Sequence, residues 1–122
     1  MTAPVRTLEM HRIVLVPTDA DQNTQSSGRL ILDLALDIET RISTGPFPAF
    51  GRKGDFHQPA TLLPFTLMAD GRLDYGAFAP AAEQPQILNI RQVRLLPEDS
   101  VICTHAGSET RYKVVSMAPT AA

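Results

Sequence analysis

Apolar residues alternate with polar and charged residues along one stretch of the chain, residues 29–42. The apolar positions recur at every second residue: Leu30, Leu32, Leu34, Leu36 and Ile38. Charged side chains fall between or after them: Asp33, Asp37, Glu39 and Arg41. A period of two is typical of a β-strand that buries one face and leaves the other in solvent. We therefore predict one continuous strand over 29–42 with the leucines and Ile38 directed into a core.

Shorter segments rich in strand-forming residues, bounded by turn residues, are predicted as further strands along the rest of the chain, although the segment 87–96 breaks the strict alternation. They span residues 10–16, 61–68, 73–78, 87–96, 100–105 and 111–117. Ten prolines are spread over the sequence, and they leave little room for long helices. The stretch Ala77–Glu83 is the most helix-prone, because it is rich in alanine. These features predict an all-β fold, a small antiparallel barrel or sandwich of about seven strands with long loops.

Turn residues mark the connections between several of these strands. Asp70-Gly71 predicts a hairpin turn, and Leu96-Pro97-Glu98-Asp99 predicts a type I turn with proline in second position. A further turn is expected within 106–110. Pro64 cannot donate a ladder hydrogen bond, which predicts that its strand lies at a sheet edge.

The length of 122 residues fits a single domain, 1–122. Within it, residues 1–9 contain few apolar side chains, which predicts a flexible arm. Residues 43–60 are rich in Gly, Pro and Phe, and we expect a long loop without regular structure there. Deletion of residues 45–56 is then expected to leave the fold intact and to abolish assembly.

The charge balance argues against several classes of partner. Eleven basic and thirteen acidic residues give a formal net charge of −2, whereas a nucleic-acid coat would need a basic excess. No apolar run approaches the roughly 18 residues of a membrane span, and no secretory signal is recognisable. Cys103 is the single cysteine, which excludes an intramolecular disulfide and a cysteine-only zinc site. We predict a cytoplasmic setting and no membrane contact.

No pattern of catalytic residues stands out. Cys103 and His105 share a strand face and could belong to a metal site or a nucleophile pair, but buried packing explains them better. The acidic face of 29–42 matches a solvated strand surface rather than paired catalytic carboxylates. Neither a phosphate-binding loop nor a nucleophile elbow is present. We expect no enzyme activity, metal, cofactor or small-molecule substrate.

The segment 47–57 is the strongest candidate for a functional surface. It interleaves aromatic with basic side chains, and the predicted partner-binding residues are Phe47, Phe50, Arg52, Lys53 and Phe56. Aromatic residues and arginine are enriched where proteins bind proteins, so a protein partner is favoured. The same mixture suits stacking on single-stranded bases, and it also suits a loop folded over its own core.

The C-terminal hairpin carries a spaced set of residues: Asp99, Val101, Gly107, Tyr112 and Val114. Over residues 93–117 this spacing of residues resembles the C-terminal part of small β-barrel proteins of tailed bacteriophages, the head-to-tail connector or head-closure proteins. The resemblance implies a structural virion component that forms rings and reaches neighbouring subunits through loops and arms.

Two functional hypotheses follow. The first is a structural assembly protein, a tailed-phage virion component such as a connector, a head-closure protein or an accessory protein of the tail or capsid. It would bind copies of itself and other structural proteins, and it would assemble into the virion in the host cytoplasm. The alternative is a small nucleic-acid-binding β-barrel that uses the aromatic and basic segment 47–57.

Overall fold

The chain folds into a closed antiparallel β-barrel in which each strand pairs with the next and the last pairs with the first. In this computed structural model, the described residues are 7–18, 28–43, 49–54, 58, 62–76, 86–105 and 107–120. The strands are β1 (Leu8–Pro17), β2 (Leu30–Asp37), β3 (Ala49–Lys53), β4 (Leu63–Leu67), β5 (Arg72–Asp74), β6 (Gln86–Leu88), β7 (Ser100–His105) and β8 (Ser108–Pro119). The prediction of a small antiparallel barrel is confirmed, with eight strands instead of about seven.

The leucine face of β2 forms one wall of the core, as the alternation predicts. Leu30, Leu32, Leu34 and Leu36 are all at most 1% exposed. On the neighbouring strand, Ile13 lies opposite Leu32 and is also fully buried. Burying a leucine or isoleucine side chain contributes about 1.5–3 kcal/mol, so this pair of strands supplies a large share of the stability.

The strand ends earlier than the pattern predicts. β2 stops at Asp37, and Ile38 is 44% exposed instead of directed inward. The Asp37 side chain accepts hydrogen bonds from the backbone N–H groups of Glu39 and Thr40, at 2.9 and 3.2 Å. Asp37 therefore turns the chain by satisfying two backbone donors that a longer strand would place in a ladder.

The predicted unstructured loop 43–60 contains a strand of the barrel wall. β3 spans Ala49–Lys53 and pairs with both β2 and β4. The prediction of a loop without regular structure is therefore wrong for these residues, and because a deletion of residues 45–56 would remove this strand, we expect the deletion to disrupt the barrel instead of sparing it. At the other boundary, β1 begins at Leu8, so the last two residues of the predicted 1–9 arm belong to a strand.

Pro64 lies in the wall of the barrel and not at a sheet edge, because β4 is flanked by β3 and β5. Hydrogen-bonded pairs alternate along an antiparallel ladder, and the bond from Met68 N–H to the Arg72 carbonyl fixes their positions. Thr66 and Asp74 form a hydrogen-bonded pair, and by this alternation the next hydrogen-bonded pair along the ladder would be Pro64 and Gly76. Proline has no N–H to donate, and the β4–β5 ladder stops at Thr66.

The segment predicted as a strand over 87–96 changes conformation after three residues. β6 ends at Leu88 and is followed by a 3-10 helix over Asn89–Gln92. Ile90 and Leu95 are fully buried, so this segment fills one end of the barrel. The backbone N–H of Leu95 donates a hydrogen bond to the carbonyl of Arg41, four residues after the end of β2, at 2.8 Å.

The three predicted turns occur, one of them with a different geometry. Asp99 N–H donates to the Leu96 carbonyl at 3.0 Å, and Glu98 has a φ of 79°. A positive φ at the third position defines a type II turn, so the type I prediction is wrong. In the last hairpin, His105 pairs with Ser108, which leaves a loop of only positions 106 and 107. The Asp70-Gly71 hairpin is confirmed by the hydrogen bond from Gly71 N–H to the Met68 carbonyl.

Candidate functional site

The structure separates the predicted partner-binding residues. Phe50, Arg52 and Lys53 lie on β3, whereas Phe47 and Phe56 lie outside the described residues. Phe50 and Arg52 are exposed on the outer face of the barrel. Lys53 is half-buried on the opposite face of the strand, so it does not share a surface with the other two.

Phe50 is the most accessible of the large apolar side chains that the structure describes, at 67% exposure. On the same outer face it lies opposite Asp33 of β2 and Thr66 of β4. An aromatic ring held by a strand loses little entropy on binding, because the backbone is already ordered. Phe50 therefore presents an aromatic side chain to solvent from an ordered strand.

A shallow groove of about 320 Å³ adjoins Phe50 where β4 and β5 separate. We call it the β4–β5 groove, and besides Gly51 and Gly76 it is lined by Phe50, Pro64, Phe65, Thr66, Asp74 and Tyr75. Phe65 and Tyr75 pack edge to face with their ring centroids 5.7 Å apart. The groove lies beyond Thr66, where Pro64 ends the ladder, so one proline in the sequence accounts for the opening.

The two strand ends that form the groove are held in place by side chains. The Tyr75 hydroxyl donates to the Gln86 side-chain oxygen at 2.8 Å, which fixes the ring against β6. The backbone N–H of Gly76 donates to the Asp74 carboxylate at 2.8 Å and so turns the chain away from Pro64. The groove is thus formed in the free protein, as small binding sites usually are.

Charged side chains of both signs surround Phe50. Arg52 is exposed on β3, and Asp74, which lines the groove, is exposed on β5 together with Arg72. The next charges, Arg12 and Asp33, form an ion pair with their closest atoms 2.9 Å apart, and the hydrogen bond and charge of Asp33 raise the pKa of Arg12. The described surface around Phe50 therefore carries charged side chains of both signs, with Arg12, Arg52 and Arg72 beside Asp33 and Asp74.

Cys103 occupies the core, as packing predicts, at 5% exposure. Burial raises the pKa of the Cys103 thiol, and the nearby Lys53 charge opposes this only in part. Burial, with Cys103 nearby, also raises the pKa of Tyr112 to about 12. Since the thiolate is the reactive form of cysteine, a thiol with a raised pKa is a poor nucleophile at neutral pH.

The histidines do not gather around this cysteine among the described residues. His105 follows it on β7, whereas His11 packs near the other end of β1 and contacts Glu9 at 3.0 Å. Tyr112, a neighbour of Cys103 in the core, pairs with Pro17 of β1. His11 lies six residues from Pro17 along β1, a distance of roughly 20 Å. Within the described ranges, no group of three or more metal-ligating side chains comes together. His57 lies outside these ranges.

Arg91 is an organising residue that the sequence does not reveal. Its guanidinium donates to the carbonyls of Met68 and Leu67 at 3.0 and 3.3 Å, and it reaches the Ser43 hydroxyl at 3.5 Å. Desolvation lowers the pKa of Arg91. The side chain borders a second groove, of about 250 Å³, beside the Asp70-Gly71 turn. The hydrogen-bond acceptors of Arg91 include two backbone carbonyls that come together only in the folded chain, so no sequence motif identifies its role.

Comparisons with known proteins add no family assignment. No helix in the described part of the chain is long and apolar enough to cross a membrane. No family model, no curated protein and no solved structure matches the chain.

Proposed function

We propose that the protein is a non-catalytic structural subunit that works through protein–protein contacts in a repeated assembly, as a component of a tailed-phage virion. The observation that carries the proposal is Phe50, an aromatic side chain 67% exposed beside a preformed groove. Aromatic anchors that fill a partner's pocket dominate the binding energy of many interfaces.

The distribution of charge supports a protein partner. Arg52 on β3 and Asp74 on β5 lie on either side of β4. Arg72 is exposed on the same face of β5 as Asp74, and the Arg12–Asp33 pair is adjacent to Phe50. Interfaces between proteins place charges at a polar rim around an apolar centre. The surface around Phe50 has this arrangement, with the groove and the aromatic ring in the centre.

The resemblance of residues 93–117 to head-closure proteins adds the virion setting to this proposal. The fold is compatible with it, because a closed barrel has no continuous open edge and leaves side chains and loops to make specific contacts. The residues that carry the resemblance all lie in the last hairpin and in the turn before it, where Asp99 N–H donates to the Leu96 carbonyl at 3.0 Å.

The test is incorporation of the chain into purified virions produced from the genome that carries its gene. The wild-type chain is expected in repeated copies by quantitative mass spectrometry, and Phe50→Asp is expected to be lost from the particles. Ile87→Asp is the matched control, because Ile87 is an exposed apolar residue, at 50%, on a different strand. Absence of the wild-type chain from the particles would refute the proposal. Portal, capsid or tail genes beside its gene would support the proposal before any experiment.

One observation favours the alternative of a nucleic-acid-binding barrel. Phe50 and Arg52 share the outer face of β3, where a base and a phosphate could contact them together. The acidic Asp33 and Asp74 on the same face oppose a phosphate backbone. Fluorescence anisotropy with labelled single-stranded DNA at physiological salt separates the two. Submicromolar binding that Phe50→Ala abolishes would favour this alternative, and we expect no such binding.

A further inference from the structure

Four side chains with titratable groups meet at the end of the barrel where β7 stops. β3 and β7 are four strands apart in the closed ring of eight strands, so they face each other across the barrel axis. Lys53 of β3 pairs with the buried Leu30 and therefore points inward, and its charge acts on Cys103 of β7. His105 follows Cys103 on the same face of β7, and Tyr112 lies beside them on β8. We call Lys53, Cys103, His105 and Tyr112 the end cluster.

Three groups of the end cluster have no hydrogen-bond or ion-pair partner in the described part of the chain. The Nε2 atom of His105 is buried and takes part in no hydrogen bond there. The hydroxyl of the buried Tyr112 and the ammonium of the half-buried Lys53 likewise make no hydrogen bond or ion pair within these ranges. Buried polar groups in folded proteins are normally hydrogen-bonded. A ligand with two acceptor oxygens and a negative charge would satisfy all three groups at once.

We propose that the end cluster binds the carboxylate group of a small organic acid. The ammonium of Lys53 supplies the opposite charge, and the Tyr112 hydroxyl and the Nε2–H group of His105 donate to the carboxylate oxygens. Either ring nitrogen of a neutral histidine can carry its proton, so Nε2 is available as a donor. The inference goes beyond the proposed function, because the end cluster lies inside the barrel end and the assembly surface lies on the outer face of β3.

The charge of the end cluster favours a carboxylate over other ligands. Lys53 is the one permanent cation of the four residues, and Arg29, which precedes the inward Leu30, faces outward by the alternation of β2. A monoanion is therefore neutralised, whereas a phosphate dianion would keep excess negative charge in a partly desolvated place. Lys53 would repel a metal cation, and no group of three or more metal-ligating side chains forms within the described ranges. The strand neighbours of Lys53 are Leu30 and Leu63, whose apolar side chains suit the carbon part of an organic acid.

The surroundings of the end cluster leave one way in and close the way to the core. Thr110 pairs with Cys103 across the β7–β8 hairpin and is exposed, so solvent reaches this side of the cluster. Val101 lies one inward position deeper on β7 and is fully buried, so a ligand stops at the cluster. On the β6 side, the Gln86 side chain accepts a hydrogen bond from the Tyr75 hydroxyl at 2.8 Å, which fixes this wall in the free protein.

Titration of the isotope-labelled full chain with benzoate, followed by amide chemical shifts, is the first test. Benzoate is expected to shift the amides of the end cluster saturably at millimolar concentration. Benzamide has the same ring without the charge and is expected to cause no saturable shift there. Inorganic phosphate is expected to bind at least about tenfold more weakly than benzoate. Binding of benzamide or phosphate as tight as that of benzoate overturns the proposal, and so does the absence of binding by acetate, benzoate and octanoate alike.

Substitutions in the end cluster locate the bound carboxylate. Lys53→Gln removes the charge and Tyr112→Phe removes one donor, and each is expected to weaken benzoate binding at least about tenfold. Arg111→Gln is the matched control, because it removes the same charge from an exposed position next to Tyr112 on β8, and it is expected to bind benzoate like the wild type. Far-ultraviolet circular dichroism and a thermal melt establish that each variant is folded. An equal loss of binding in Arg111→Gln and Lys53→Gln would assign the effect to net charge and overturn the site.

The single cysteine of the chain reports occupancy of the site without any substitution. A carboxylate beside Cys103 disfavours the thiolate, which is the form that reacts with Ellman's reagent. Saturating benzoate is therefore expected to slow modification of the native chain several-fold, whereas benzamide leaves the rate unchanged. A rate that benzoate does not change overturns binding at the end cluster. These measurements need no virion, so the carboxylate site and the proposed function can fail separately.

Discussion

Gly51 and Phe65 lie opposite each other on β3 and β4, and the ring of Phe65 occupies the space that a side chain at position 51 would need. A Cβ at Gly51 would lie 2.7 Å from the Phe65 ring and 2.5 Å from the carbonyl oxygen of Ile31. Barrel interiors are filled by pairing small with large side chains in this way. The glycine therefore allows an aromatic ring to fill the barrel behind Phe50.

Gly51→Ala is expected to destabilise the fold by roughly 3 kcal/mol, near the upper end for overpacking, because one of the two obstacles is backbone. Urea unfolding measures the change in the free energy of unfolding. Gly76→Ala is the control, since a Cβ there meets nothing within 4 Å and only its φ of 81° is unfavourable. The control is expected to lose about 1–2 kcal/mol. An equal loss in both variants would contradict the steric explanation.

Asp37→Ala is expected to cost about 0.5–2 kcal/mol, because two backbone donors lose their acceptor at the end of β2. Asp37→Asn keeps a side-chain oxygen at the same place and is expected to retain most of the stability. Thermal melts of the two variants against the wild type provide the measurement. Amide hydrogen exchange at Glu39 and Thr40 should accelerate in the alanine variant only. A shift that spreads equally over all strands would argue against a local cap.

The alternation of residues 29–42 predicts which face of β2 is buried but not where the strand ends. The period of two is a property of the strand itself, and Leu30 to Leu36 follow it into the core. The end depends on a competing local interaction, in which the Asp37 carboxylate captures two backbone N–H groups. An aspartate on the polar face of a strand and an aspartate that ends it look alike in the sequence.

The density of Gly and Pro in residues 43–60 predicts a loop and hides β3, because local propensity is overridden by closure of the barrel. β3 is paired on both sides, and Gly51 serves the packing of Phe65 instead of a turn. The candidate surface was partly predictable, since Phe50 and Arg52 were identified from composition. Pro64, Tyr75 and Asp74 were not, because only the strand register brings them beside Phe50.

Glu98→Gly is expected to stabilise the protein by about 1 kcal/mol. Glu98 holds a φ of 79° at the third position of a type II turn, which favours glycine. The substitution also removes the ion pair with Lys113, but that pair is exposed and contributes little. Glu98→Ala loses the ion pair and keeps the strained backbone, so it is expected to be neutral or slightly destabilising. Chemical denaturation of both variants compares them, and a glycine variant less stable than the alanine variant would exclude backbone strain at this turn.

Stability is expected to fall at alkaline pH because two buried groups hold their protons more tightly in the folded state. Burial raises the pKa of Tyr112 from 10.0 to about 12, and the pKa of Cys103 is raised above 9.0. Their contribution is complete below the pKa values of the unfolded chain. It is lost for Cys103 above about pH 9 and for Tyr112 between about pH 10 and 12, where the tyrosine alone accounts for roughly 2–3 kcal/mol.

Urea unfolding from pH 8 to 12 measures this loss, and absorbance at 295 nm reports ionisation of the tyrosines. Tyr112→Phe is expected to flatten the decline above pH 10, while Tyr75→Phe serves as the control that removes a different hydroxyl. A decline of the same size in Tyr112→Phe would assign the alkaline sensitivity to other groups.

Arg91→Ala is expected to destabilise the protein by about 2–4 kcal/mol, because its guanidinium holds together three segments that are distant in sequence. The carbonyls of Leu67 and Met68 and the Ser43 hydroxyl all lose a charged donor, and hydrogen bonds to charged groups contribute about 1.5–3 kcal/mol. Arg91→Lys keeps the charge but reaches only one acceptor at a time, since an ammonium lacks the planar fork. The lysine variant should therefore recover less than half of the loss. Amide exchange should accelerate at the Asp70-Gly71 turn and around Ser43 before the core strands respond. If lysine restored full stability, the charge alone would matter, and the converging hydrogen bonds would not explain the role of Arg91.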